Sequence, residues 1–290
     1  MDNLAALADI IGRHAGHDGI FDTPVPGLGL IRSDTPTLPM PVVYQPTLCV
    51  VAQGRKQVAL GTATYVYDAA TCLVASVDLA VMGSVIEASR EAPYLSLRID
   101  LDMAQLADLA IRHPGQVNEG ATPGPGIALT GPTPALLDAV LRLTALLDAP
   151  HDIDALAPLI LREISYRLLA DPAVRAMAQG SSRLNQIARA ILWLREHYNE
   201  ACTVDELAEE ACMSRSAFHA HFKAVTLMSP IEFRNHLRLQ EARRLMLAEA
   251  LDAASAGFRV GYESPSQFSR DYRQMFGAPP ATDVGRLRLA

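Results

Sequence analysis

Ten polar side chains fall into two sets: Ser214, Arg215, Ser216, His219 and Lys223, then Ser264, Ser266, Ser269, Arg270 and Arg273. At an offset of 50, Ser214 matches Ser264, Phe218 matches Phe268, Phe222 matches Tyr272 and Lys223 matches Arg273, an internal repeat of one supersecondary unit. Each set opens on a serine, a residue type that caps helix N-termini, where free N–H groups and the positive end of the dipole favour a phosphate. Hydroxyls, an imidazole and cations in that arrangement suit hydrogen bonding to a polyanion and to base edges, not the breaking of covalent bonds.

The elements that must hold these groups are helices. Phe218, Phe222 and Val225 in one copy, and Phe268, Tyr272 and Met275 in the other, recur at i, i+4 and i+7. That stripe faces inward and leaves the polar residues on the opposite face. Helical patterns over 204–212 and 250–258 supply the supporting half of each unit, and Gly261 suits a turn that needs positive φ. Between the copies, residues 230–247 predict a helix of about 27 Å. It could hold two recognition helices near one turn of double-stranded DNA apart, about 34 Å. Two adjacent major grooves on one face are the expected target.

The formal net charge of the 290 residues is -7, but it is unevenly placed. Residues 1–180 hold 11 Lys and Arg against 19 Asp and Glu, while 181–290 hold 14 against 13, so the acidic balance does not exclude a nucleic-acid partner. No apolar run approaches membrane length and no secretory leader is legible, which predicts a cytoplasmic chain with no membrane partner. Cys49, Cys72, Cys202 and Cys212 form no C-x-x-C pair, and their expected role is packing.

After a helix at 4–13 and a Gly/Pro-rich loop, short β-branched runs occur at 48–52, 57–60, 64–67, 72–76, 81–87 and 94–99. They predict a small antiparallel barrel or sandwich. A small barrel either fills with side chains or encloses one ligand, and Cys49, Val51, Tyr65, Cys72 and Val74 are the candidate lining of such a pocket. Arg55 and Lys56 are expected to lie across a turn from it. A helix follows at 102–112. Helices at 134–147 and 153–169 carry leucine stripes that fit either packing on the barrel or a seam with a second subunit, and 176–183 reads as a linker. The expected fold is therefore α+β in two domains. Residues 1–180 are the effector-binding and dimerisation domain, and 181–290 are the all-α DNA-binding domain with two helix-turn-helix units.

The C-terminal stretch, with TVDELAEEACMSRSAFHAHFKAVTLMSP, FRNHLRLQEARRLML and GFRVGYESPSQFSRDYRQMFGAPP, resembles the DNA-binding domain of AraC/XylS transcription regulators over about 184–287. The N-terminal runs PTLCVVAQGRKQVALGTATYVYD, CLVASVDLAVMGSVIEAS and PYLSLRIDLD look like the cupin-like arm of one subgroup. The resemblance implies base-facing positions at Ser216, His219 and Ala220, and at Pro265, Ser266, Ser269 and Arg270. It also implies a homodimer, a small-molecule effector and contact with RNA polymerase. Two departures stand out: Ala220 has no donor where relatives carry longer polar residues, and Leu227 stands where many have glycine.

Two other classes compete with a ligand-responsive regulator. One is a constitutive dimeric regulator; the other is a cupin enzyme fused to a DNA-binding domain. Cupin enzymes hold a metal through a His-x-His pair with a further carboxylate and histidine. Here 1–180 offers only His14, His17, His113 and His151, none on a predicted strand, so no catalytic residue, metal or cofactor is expected.

Overall fold

In the computed structural model, which describes residues 3–114, 124–179 and 181–289, the β-branched runs of the first half pair into two antiparallel sheets. In chain order the strands are β1 (Gly19–Asp22), β2 (Leu28–Ser33), β3 (Met40–Tyr44), β4 (Thr47–Gln53), β5 (Arg55–Leu60), β6 (Ala63–Asp68), β7 (Cys72–Ala75), β8 (Leu79–Glu87), β9 (Tyr94–Asp100) and β10 (Ile127–Thr130). One sheet runs β1-β2-β9-β4-β7-β10 and the other β3-β8-β5-β6. The six predicted runs are strands, and four further strands lie in stretches that read as Gly/Pro loops. Three of these, β1, β3 and β10, are sheet edges, the place in a sheet where a proline such as Pro41 in β3 is tolerated. In β2, Gly29 pairs with Arg98, and a Cβ there would come within 2.7 Å of the Arg98 Nε. Glycine makes room for that side chain.

Helices α1 (Asn3–His14), α2 (Met103–Arg112), α3 (Pro134–Ala145), α4 (Ile153–Leu168) and α5 (Pro172–Gln179) complete this part. Asp102 caps α2, accepting from the N–H groups of Ala104 and Gln105. Thr133 caps α3 with Pro134 in its first turn, and a 3-10 turn, Leu146–Asp148, follows. Leu7 and Ile11 of α1, and Leu136, Val140 and Leu143 of α3, join Leu48, Val50, Val74 and Leu97 of the six-stranded sheet in one core. Burying aliphatic side chains of this size contributes about 1.5–3 kcal/mol apiece before entropy is set against it.

The chain divides into two compact units, Met1–Asn185 and Gln186–Ala290. The stretch expected to be a linker, 176–183, is helical where described. Residues 176–179 end α5 and 181–183 begin α6 (Ser181–Glu196), while Gly180 lies outside the described residues.

Helices α7 (Val204–Glu210), α8 (Arg215–Thr226), α9 (Pro230–Ala248), α10 (Ala253–Arg259), α11 (Pro265–Phe276) and α12 (Pro280–Leu289) follow. The helix expected from 250 starts later: Ala250 has φ 54° and Asp252 is the N-cap, accepting from the N–H groups of Ala254 and Ser255. Two buried arginines of α9 tie this unit together. Arg238 donates to the carbonyls of Tyr198 (2.5 Å), Glu200 (3.0 Å) and Gly261 (3.0 Å). Arg243 grips Asp283 of α12.

Candidate nucleic-acid interface and sheet interior

Each helix-turn-helix unit is assembled by local rules. In the first, Thr203 and Glu206 form a reciprocal capping box that starts α7. Ser214 Oγ accepts from the Ala217 N–H at 3.4 Å to start α8. In the second, Asp252 starts α10, and Ser264 Oγ accepts from Gln267 N–H at 3.4 Å to start α11. The aromatic stripes are fully buried: Phe218 lies 5.3 Å from Phe222, which meets Phe233 of α9 edge-on at 5.6 Å, and Phe268 lies 5.5 Å from Tyr272. Both recognition helices end on a left-handed residue, Leu227 at φ 58° and Gly277 at φ 77°, so the departure at Leu227 leaves the turn geometry unchanged.

The repeat has a slip. The serine caps Ser214 and Ser264 stand 50 apart, but the caps of the supporting helices, Thr203 and Asp252, stand 49 apart. The left-handed turn residues, Cys212 and Gly261, are also 49 apart. The second turn therefore holds one extra residue before its recognition helix. A Cβ at Gly261 would collide with the carbonyl of Asn199, so that turn requires glycine.

Ser214, Arg215, Ser216, His219 and Lys223 are all exposed on α8 or at its cap. Ser266, Ser269, Arg270 and Arg273 are exposed on α11, and Ser264 is half-buried at its cap. The two faces differ in charge. The Arg215 Nη1 is engaged by Asp205 Oδ2 at 3.0 Å, whereas the side chains of Arg270 and Arg273 have no hydrogen bond or ion pair among the described residues. Two of the cations are therefore free for an external anion in the second unit.

Cys49 and Val51 are buried and point between the sheets; Tyr65 takes the same inward side of β6 as Tyr67 but is half-exposed. Cys72 and Val74 do not join them. Cys49 pairs with Leu73, and strand residues alternate sides, so Cys72 and Val74 stand on the opposite face, inside the helix-covered core. The five residues cannot line one pocket. Burial pushes the Cys49 thiol up and the Cys72 thiol up to about 12, so neither is a thiolate at neutral pH.

What does surround Cys49 is a polar cluster that the sequence reading passed over. Tyr44 and Tyr67 share a hydrogen bond at 3.1 Å, and Cys49 and Tyr94 lie close to Tyr67 across the sheets. Lys56, expected to lie across a turn from the pocket, points into this cluster, with Nζ 5.7 Å from the centre of the Tyr44 ring. Its ammonium lies deep in the protein's mass although the side chain keeps some contact with solvent, and burial lowers its pKa. The three tyrosines are raised by burial and remain neutral. The available signal was the parity of β5: Lys56, Val58 and Leu60 alternate onto one side.

Against known proteins, the family described as AraC-type transcriptional regulator N-terminus matches residues 24–176, more than half of the chain, and a helix-turn-helix domain family matches 207–284. The chain belongs to the AraC-type transcriptional regulators. It is 28% identical over 158 residues to the HTH-type transcriptional regulator ArgR of Pseudomonas aeruginosa, covering 53% of this chain and 47% of ArgR. It is 26% identical over 151 residues to the HTH-type transcriptional activator RhaS of Escherichia coli, covering 50% and 53%. The chain thus matches about half the length of these curated relatives. Its fold is similar to that of ToxT from Vibrio cholerae in a structure with unsaturated fatty acid bound, at TM-score 0.55 and 10% identity, over 89% of this chain and 93% of ToxT.

Proposed function

We propose that the chain is a sequence-specific DNA-binding transcription regulator. Its recognition helices α8 and α11 enter adjacent major grooves, and Arg270 reads a base edge while Lys223 and Arg273 hold phosphates. The observation that carries this reading is the pair of capped, aromatic-backed helices whose outer faces keep Arg270 and Arg273 uncommitted. Footprinting on the DNA upstream of the chain's own operon tests it. Two protected patches about one helical turn apart on one face of the DNA are expected; uniform, sequence-independent protection would overturn it.

The N-terminal unit is read as the sensor and dimer contact, with the space between the sheets as the effector site. The fatty acid bound in ToxT, and the butenoic acid derivative bound in another ToxT structure of the same fold, favour a ligand-holding unit. A constitutive dimer is the second reading, favoured by the bulk of Tyr44, Tyr67 and Tyr94 between the sheets. For the dimer, α3 spends its leucines on the internal core, so the contact falls to Leu156, Leu159 and Tyr166, exposed along one side of α4. Among the described residues no helix is long and apolar enough to cross a membrane. A cytoplasmic, non-enzymatic role with RNA polymerase as a partner completes the reading.

A further inference from the structure

Lys56 and its neighbour Arg55 make an instructive pair. Arg55 points outward and is balanced by Asp68 at 3.2 Å and Glu87 at 3.6 Å. Lys56 points inward, between Tyr67 of β6 and Val85 of β8 in the ladder, and has no hydrogen bond or ion pair among the described residues. An ammonium taken out of water is costly unless an opposite charge or several acceptors meet it. The face of the Tyr44 ring supplies partial compensation only.

The groups around it are of one kind. Tyr44, Tyr67 and Tyr94 bring neutral hydroxyls and Cys49 a neutral thiol, with the hydroxyl of Thr47 beside Cys49 and that of Ser96 beside Tyr94. Thr47 already gives its proton to the carbonyl of Ile99 at 3.0 Å. These groups are rich in donors and none of them is a carboxylate; a second cation that reaches Cys49, Arg98, is already paired with Asp22 at 2.9 Å and Asp100 at 3.0 Å, whereas Lys56 has no such partner among the described residues. Beside the lysine, Gly83 leaves a methyl-sized space: a Cβ there would rest 3.4 Å from Lys56 Cε and 4.0 Å from Nζ, in ordinary contact.

We propose that Lys56 is the anion-binding group of an effector site between the sheets, and that the effector is a small organic carboxylate. This rests on the reading of the N-terminal unit as a sensor. A carboxylate supplies what the cluster lacks, one negative charge and lone pairs for the ammonium and for the tyrosine hydroxyls. A neutral sugar or alcohol would leave the ammonium uncompensated. The effector must be small, because Tyr67 and Tyr94 are almost completely buried and occupy much of the interior.

The test is titration of the full chain, by calorimetry and thermal shift, with sodium acetate, hexanoate and benzoate, each beside its amide. The expected result is that a carboxylate binds and stabilises while its amide does not. Lys56→Met should weaken that carboxylate by about tenfold or more, and Lys56→Arg should keep the preference. An amide that binds as well as its acid, or a Lys56→Met protein with unchanged carboxylate affinity, overturns the role of Lys56 and leaves the sensor reading standing. Silence across the whole panel, acids and amides alike, overturns both. If Lys56→Met does not fold, the acid–amide comparison on the unaltered chain and on Lys56→Arg decides the matter.

Discussion

Arg243 of α9 and Asp283 of α12 form a buried two-point ion pair, Nε to Oδ2 at 2.8 Å and Nη2 to Oδ1 at 2.9 Å. Tyr272 of α11 donates its hydroxyl to the same Asp283 Oδ2 at 2.8 Å. The connecting helix α9, the recognition helix α11 and the last helix α12 therefore meet at one carboxylate. Asp283→Ala removes from a buried guanidinium and a phenol the carboxylate they share, and the expected loss is about 3–5 kcal/mol of stability. Urea denaturation followed by circular dichroism measures it, and a loss below 1 kcal/mol, roughly the value of a surface pair, would remove the ion pair from its structural role.

Leu227 and Gly277 end α8 and α11 in the same left-handed conformation, but only glycine adopts it without strain. Leu227→Gly should stabilise the chain by up to about 1 kcal/mol, the relief of strain being partly offset by unfolded-chain entropy and lost contacts. Gly277→Ala, where a Cβ meets nothing within 4 Å, should cost about 1 kcal/mol from the backbone alone. Thermal melts of the two variants should move in opposite directions.

Arg270→Ala should lose about 1–3 kcal/mol of affinity for the specific site and little for random DNA. Lys223→Ala and Arg273→Ala should weaken binding to every sequence and flatten its dependence on salt, since each phosphate contact releases counterions. Mobility shifts on specific and scrambled duplexes across a salt series separate the two behaviours. Equal losses on both duplexes for Arg270→Ala would end its base-reading role.

Leu159→Asp on α4 should convert a dimer to a monomer in sedimentation while leaving thermal stability nearly unchanged, because Leu159 is 65% exposed within the chain. A wild-type chain that sediments as a monomer at tens of micromolar, by order of magnitude, would refute the dimer contact.

His236 of α9 has its pKa lowered by burial, with the nearby Glu232 opposing only in part. The unfolded chain takes up this proton near pH 6.5 and the folded chain resists it. Stability present above that value is therefore lost as pH falls from it through the folded value. His236→Gln should flatten the stability profile just below pH 6.5. The capping carboxylates Glu206, Glu232 and Asp252, all held below their ordinary values by hydrogen bonds from N–H groups or hydroxyls, act at lower pH.

The helical half was legible because its signals are local. A serine cap and aromatics at i and i+4 lie within one helix, so Ser214, Phe218 and Phe222 declare their faces without knowledge of any partner. The sheet half depends on pairing between distant strands, and there one step of parity decides everything. Cys72 and Val74 were placed with Cys49 because all three are buried strand residues; only the Cys49–Leu73 register separates them. The turn before Lys56 suggests that it lies away from the pocket, yet its parity with Val58 and Leu60 puts it inside. The edge strands β1, β3 and β10 were hidden by the prolines and glycines that edges tolerate.

The one-residue slip between the two turns limits how recognition helices can be grafted. An exchange spliced at the serine caps, Ser214 with Ser264, carries each helix over with its own phase. Spliced instead at the left-handed residues, Cys212 with Gly261, the same exchange inserts or deletes a residue. The extra residue sits in the turn and not within a helix, so it changes the length of the connection rather than the phase of the helix: Phe268 and Tyr272 are as fully buried after the longer turn as Phe218 and Phe222 after the shorter one. A chimera of the first kind should keep the host's turn and change its site preference, whereas one of the second kind brings the donor's turn with its helix and must fit that different length against the host's supporting helix.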